Sequence, residues 1–225
     1  PKTSRYILFL YINNFFYPQL EQDFKHLLEK ALAVITTTPE IIQHKCNIIE
    51  TPWGYEPSAF YMMNLPKKWT IITHGHIAES EAVNAIFNAC YKSQTSMVHV
   101  GGRMEMQWRE PTFTWIQSNS DEQLRTLYNQ CRYVNALRRE PCFELPAIEG
   151  YACGCQPICF DHTGPQKYFR DFAIYVPTLP CDELAPHLIE HFKKPIEIKP
   201  NPEILKRFYW ETIMTNVWKK ISEVL

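Results

Sequence analysis

The sequence predicts an α/β fold in which a parallel sheet is covered by helices. Three observations lead there. Apolar strand-like runs and amphipathic helix-like stretches alternate along the 225 residues, the signature of repeated strand-helix units. A hydrophobic fraction of 45% with 14% aromatic residues belongs to a packed core and not to a disordered chain. Finally, residues 132–160 read as one complete unit: an apolar strand to 137, a loop, a short helix, and a second strand over 156–160.

In chain order, RYILFLYI at 5–12 is a buried strand, and 18–33 carries Leu20, Phe24, Leu27, Leu28 and Ala31 at the helical period. A short strand over 33–37 and a helix over 39–44 follow. Residues 47–60, NIIETPWGYEPSAF, give a strand and a Pro-x-Gly turn. WTIIT at 69–73 is a strand closed by His74-Gly75-His76, where the histidines read equally as exposed loop residues or as part of a site. Residues 79–91 form an amphipathic helix with Ala82, Val83, Ile86, Phe87 and Cys90 on one side. Strands at 96–100 and 112–116 come next. Gly101-Gly102-Arg103 after the first of them lacks the G-x-G-x-x-G spacing of a dinucleotide fingerprint. Ser120 to Gln123 supply a cap and an acidic first turn to a helix reaching 131, with Leu124, Leu127 and Tyr128 inward. DHTGP at 161–165 reads either as a surface turn or as a loop whose hydroxyl and backbone N–H groups, at Thr163 and Gly164, reach a phosphate. A loop and helix fill 177–193. A single terminal helix fills 200–225, with Phe208, Trp210, Ile213, Val217 and Ile221 as its stripe.

The unit at 132–160 organises the rest. Pro146 stands where the first helical turn begins and Gly154 where the helix ends, the places that suit a residue without an N–H and a residue tolerant of positive φ. A loop feeding a helix N-terminus exposes unpaired N–H groups and the positive end of the peptide dipoles, so it suits a phosphate. Glu144 and Glu149 lie in or beside that turn, where carboxylates accept hydrogen bonds from sugar or ribose hydroxyls. Gly150, inside the helix, costs about 1 kcal/mol relative to Ala and so indicates close packing or an approaching ligand.

LPAIEGYACGCQPICFD resembles the donor-site signature of GT-B glycosyltransferases of the family-4 type, E-G-F-G-L-P-x-x-E-A-x-A-C-G-x-P-V. Phe143, Leu145, Pro146, Ala147, Glu149, Ala152, Cys153, Gly154 and Pro157 fall on matching positions. The P-x-G turn at 52–54 with Phe60, and the acidic helix start at 121–128, are similar to the family in the same order. The resemblance implies a Rossmann-like sheet of GT-B donor-lobe type with a truncated or absent acceptor lobe. Residues 1–45 would be a short β/α remnant of that lobe or an addition to the sheet edge, 46–200 the donor lobe, and 201–225 a packing helix. It implies transfer of a sugar from a nucleotide-diphosphate sugar to a glycan or other hydroxyl acceptor, with retention of configuration and no cofactor.

For the site, the resemblance implies that Glu149 binds the ribose and that the backbone beside Leu145 and Pro146 binds the diphosphate. The family's first Glu of its E-x7-E pair falls on Pro141 here. Glu140, one residue away, and Glu144, where the family usually has Gly, share the sugar-contacting, catalytic role. The family's glycine loop carries an Arg and a Lys against the diphosphate. Here Gly75 is followed by His76 near the Arg position, a further catalytic candidate, and by Ser80-Glu81 near the Lys position. Arg103, Arg138, Arg139 and Lys167 are the substitute cations, and Thr163 and Gly164 lie where the family has a donor-facing loop.

A net charge of −1 with no basic run argues against nucleic acid as the main partner. The longest clean apolar run, 6–12, falls short of the roughly 20 residues of a membrane helix, and no signal peptide precedes it. The eight cysteines sit in apolar patterns, which fits buried thiols in a reducing, cytoplasmic compartment. Cys153, Cys155, Cys159 and His162 have the spacing C-x-C-x3-C-x2-H, not a common zinc pattern. None of the five aspartates forms a D-x-D pair, so the predicted chemistry is metal-free, with helix amides and cationic side chains stabilising the departing diphosphate. The six tryptophans read as core or interface packing ahead of a sugar-stacking platform. The chain opens on Pro1, the expectation for a domain of a larger polypeptide whose acceptor lobe comes from a flanking domain or a second subunit. Two other classes stay open: a degenerate nucleotide-sugar-binding or structural lobe, and an unrelated flavodoxin-like module that binds a partner protein.

Overall fold

The computed structural model describes residues 6–10, 25, 27–42, 46–75, 80–101, 112–117, 120–139, 142–194 and 196–224. Their strands form two parallel sheets. Strands β1 (Tyr6–Leu10), β2 (Ala31–Thr36) and β3 (Ile48–Glu50) pair in the order β1-β2-β3 as a sheet of their own, and do not extend the edge of the larger one. The larger sheet contains β4 (Trp69–His74), β5 (Met97–Val100), β6 (Phe113–Ile116), β7 (Cys131–Ala136), β8 (Gln156–Phe160) and β9 (Ile174–Val176). Its order is β6-β5-β4-β7-β8-β9, all parallel. The direction of winding therefore reverses between β4 and β7.

Parallel strands joined by crossover helices are covered on both faces, so successive residues must both be apolar. Ile71, Tyr133 and Ile158 point into one core, against helices α1 (Val83–Ser93) and, further along the chain, a helix over Cys181–Phe192. Their neighbours Ile72, Val134 and Cys159 point into the other. That second core is closed by α2 (Asp121–Asn129), α3 (Leu145–Ala152) and α4 (Thr163–Phe169), with Tyr128, Ile148 and Phe169 fully buried. The Cys181–Phe192 helix is α5. It is followed by α6 (Pro202–Lys206) and α7 (Trp210–Val224).

The elements of the unit at 132–160 lie where the sequence predicts, and Ser120 caps α2 by accepting from the Gln123 N–H. Four details differ. Helix α1 begins only at Val83, because Ala82 takes a left-handed conformation at φ 52°. Of the helix expected over 18–33, residues 25 and 27–30 are helical, and 31–33 belong to β2 through pairing with β1; residues 18–24 and 26 lie outside the described residues. Thr163 opens helix α4 instead of lying in a loop, with Pro165 tolerated in its first turn. The terminal helix is split at 207–209. Phe208 is buried in the larger sheet's second core, and its carbonyl accepts from the Tyr55 N–H at 2.9 Å in place of a helical partner.

The split lets the chain return to the small sheet. Ile213, Val217 and Ile221, one turn apart on α7, pack against Ala33, Ile35 and Ile49. Side chains of α4 join the same two parts: Tyr168 donates to the Thr37 carbonyl at 2.8 Å and contacts Glu50 Oε1 at 3.0 Å, and Lys167 is ion-paired with Glu50.

Gly150 sets how closely α3 approaches β7. A Cβ there would stand 2.7 Å from Val134 Cγ1 and 2.8 Å from its Cβ. Gly150→Ala should therefore destabilise the fold by about 1–3 kcal/mol through overpacking, despite a gain of about 1 kcal/mol in helix propensity. Adding Val134→Ala should recover much of the loss. Urea unfolding of the parent, the single variant and the double variant measures both effects.

Candidate functional site

A cleft of about 490 Å³ opens at the carboxyl ends of β4 and β7, where the winding reverses. In open parallel sheets this reversal leaves a crevice between loops that run to opposite faces, and ligands bind there. Its floor comes from His74 at the end of β4, Gly75 after it, and the segment Asn135 to Arg138 at the end of β7. One wall is the N-terminus of α3, with Glu144, Leu145, Pro146 and Glu149. Thr37 and Trp53, which follow strands β2 and β3, close the side toward the small sheet.

The start of α3 has no side-chain cap. Glu144 occupies the cap position without a capping hydrogen bond, and Pro146 follows in the first turn. The positive end of the helix thus faces the cleft. Glu144 is instead turned toward other partners: it accepts from the Cys142 thiol at 2.8 Å and lies 3.7 Å from Arg138 Nε. Arg138 also donates from Nη1 to Glu81 Oε1 at 3.0 Å. Gly75, at φ 105°, occupies backbone space that favours glycine.

Glu149 sits on α3 behind this turn. Burial raises its carboxyl from 4.5 to about 7, Asp121 adds to the rise, and the Tyr128 hydroxyl, 3.4 Å from Oε2, opposes it. His74 keeps a partly exposed edge on the cleft, but both ring nitrogens are buried without hydrogen-bond partners. Burial, with His99 nearby, lowers its imidazole to about 3, and its ring packs 5.3 Å from that of Tyr128. His74 is thus no solvent-exposed loop histidine; the strand carries it into the floor.

Of the predicted site residues, Glu144, Leu145, Pro146, Glu149, Gly75 and Arg138 come together in the cleft. Arg139 does not. Its guanidinium turns the other way, donating to the Leu179 carbonyl at 2.9 Å and lying over the Phe160 ring at 5.4 Å. Lys167 is held by Glu50 on the far side of α4. Gly164 is buried in the first turn of α4, and the adjoining His162 ring contacts the Arg138 carbonyl at 2.8 Å. Asp161 accepts from the Thr178 N–H at 3.0 Å. His76, Arg103, Glu140 and Pro141 lie outside the described residues. The Cys155 thiol donates to the Tyr128 carbonyl at 2.9 Å, a backbone role.

Sequence reasoning missed His74, Glu81, Asn135 and Trp53 as lining residues. Asn135 carried a signal, a polar residue inside an apolar strand. Its amide donates to the Glu81 carbonyl at 2.9 Å, and its Oδ1 accepts from the Leu137 N–H at 3.0 Å.

Neither a protein-family model nor a curated protein matches the sequence. Solved structures do match. HepE from Anabaena, solved with UDP and glucose, superposes with a TM-score of 0.72 at 12% identity over 96% of this chain and 71% of its own. The fold is that of the GT-B glycosyltransferases. Sucrose-phosphate synthase from Thermosynechococcus elongatus shares the GT-B fold at TM-score 0.69 and 16% identity, over 96% of this chain and 65% of its own. The C-terminal domain of a glycosyl transferase group 1 family protein, LpcC from Francisella tularensis, gives 0.51 at 14% identity, over 76% of this chain and 97% of that domain. The chain thus spans under two thirds of the sucrose-phosphate synthase. No helix among the described residues is long and apolar enough to cross a membrane.

The raised Glu149 carboxyl has a consequence for stability. The folded state holds its proton up to about pH 7 while the unfolded chain releases it near 4.5. Stability from this group is present below pH 4.5 and is lost as pH rises through 7. Glu149→Gln should remove that loss, on the order of 3 kcal/mol at full ionisation. Urea midpoints at pH 5 and pH 8 should converge in the variant relative to the parent.

Proposed function

We propose that this chain is the donor-binding lobe of a glycosyltransferase that moves a sugar from a nucleotide-diphosphate sugar to a glycan or other hydroxyl acceptor. In this reading residues 46–200 are the donor lobe, 1–45 a remnant of the acceptor lobe, and 201–225 the helix that crosses back. The acceptor lobe is completed by a flanking domain or a second subunit. The observation that carries the reading is the convergence, at the winding reversal, of an uncapped helix N-terminus, a glycine loop, one guanidinium and a buried carboxyl.

Each part has a chemical task. Glu149, short of donors in the ligand-free cleft, accepts from the ribose hydroxyls, which lets its carboxyl ionise. The first turn of α3 and Gly75 cradle the diphosphate. When the bond from the anomeric carbon to the diphosphate oxygen breaks, negative charge grows on the leaving group, and the α3 dipole with Arg138 stabilises it. Glu144, beside Arg138, is the sugar-side carboxylate, with Glu140 and His76 as further candidates. No D-x-D pair exists among the five aspartates, which favours a route without metal, and the family-4 resemblance favours retention. HepE was solved with UDP and glucose, a ligand class that the proposed roles match.

A second reading, a degenerate lobe that binds donor without turnover, draws support from one observation: Arg138 is already shared between Glu81 and Glu144. Turnover with any hydroxyl acceptor rules it out.

Calorimetric titration with UDP and GDP tests the assignment. Glu149→Ala should reduce affinity for the bound nucleotide at least about a hundredfold, the cost of deleting a hydrogen-bonded charged partner, while the melting temperature stays within a few degrees. Parental affinity in that variant would refute the role.

A further inference from the structure

The proposed diphosphate position already has an anionic neighbour. Among the described lining residues one cation, Arg138, faces three carboxyl groups, Glu81, Glu144 and Glu149. Glu81 stands out by its placement. Its carboxylate lies directly on Gly75, so that a Cβ added to Gly75 would fall within it. The same carboxylate accepts from Arg138 Nη1 at 3.0 Å. It thus engages the glycine loop and the guanidinium together, the two elements assigned above to the diphosphate.

The main chain beneath it is held independently. The Glu81 carbonyl accepts from Asn135 Nδ2 at 2.9 Å, and the Ser80 carbonyl accepts from the Arg139 N–H at 3.1 Å. Rotation about the Glu81 side-chain torsions therefore moves its carboxylate without moving this main chain. At 15% side-chain exposure the charge is largely desolvated, a cost that the Arg138 pairing offsets.

We propose that Glu81 is an internal occupant of the diphosphate position: its carboxylate lies against Gly75 and pairs with Arg138 in place of a phosphate until a donor displaces it. This rests on the reading of the cleft as a donor site. Diphosphate binding then requires breaking the Glu81–Arg138 pair and moving one negative charge away from another. A nucleoside without phosphates leaves the pair intact. Glu81 thereby lowers affinity for diphosphates selectively.

The test is calorimetric titration of the chain and of its Glu81→Gln and Glu81→Asp variants with UDP and GDP, and separately with uridine and guanosine. Removing a like charge beside the ligand should tighten diphosphate binding at least about ten-fold in Glu81→Gln and leave nucleoside binding unchanged. Glu81→Asp keeps the charge but withdraws it from Gly75 by one methylene, and should gain part of that increase. It also serves where Glu81→Gln fails to fold. Diphosphate affinity within two-fold of the parent or weaker, or an equal gain for the nucleosides, overturns the proposal while leaving the donor reading intact. No diphosphate binding by any of the three proteins refutes the donor reading and this proposal with it.

Discussion

Helix α3 can lie against strand β7 only because position 150 carries no side chain. The Val134 side chain fills the space where a Cβ would stand, and the approach aims the first turn of α3 at the carboxyl end of β7. Everything in the cleft follows from that contact. Arg138, just past the end of β7, lies beside Glu144 at the start of α3, and Glu149 lands one turn behind the helix start. Packed interiors tolerate little volume change, so a contact of this kind determines geometry more firmly than any single hydrogen bond in the site.

The second constraint is electrostatic. The cleft joins a positive helix end to the carboxyl groups of Glu81, Glu144 and Glu149, with Arg138 between the first two. Glu149 is held toward its neutral form by burial, and His74 stays neutral through the physiological range. Both cost stability in their charged forms and both face the ligand position, an arrangement typical of binding sites. The small sheet completes the enclosure through Thr37 and Trp53, and it is tied to the larger one by Tyr168, by the Lys167–Glu50 pair and by α7. The cleft thus lies between two sheets.

Much of the fold was legible because its signals are local. The apolar runs at 69–73 and 132–137 could only be buried strands, and Pro146 and Gly154 marked both ends of α3. The turn that opens α3 was legible for the same reason, since Leu145, Pro146 and Glu149 lie within five residues. What depends on distant contacts was not. The break at 207–209 arises from Tyr55, far away in sequence, and the split stripe of Phe208 against Ile213 cannot be seen in a helical period. Arg138 and Arg139 are adjacent and chemically identical, yet beyond the end of β7 one side chain turns to the cleft and the other to Phe160. Glu81 was visible only as a departure from a family pattern; its position over Gly75 is a three-dimensional fact.

The central claim is that a diphosphate belongs at the start of α3. A crystal structure of the chain with UDP or GDP, grown in EDTA, tests it most directly. The account predicts both phosphates against Gly75 and the first turn of α3, the ribose on Glu149, and the Glu81 side chain swung away. A nucleotide bound elsewhere, or one that enters the cleft only when a divalent cation is restored, would contradict it.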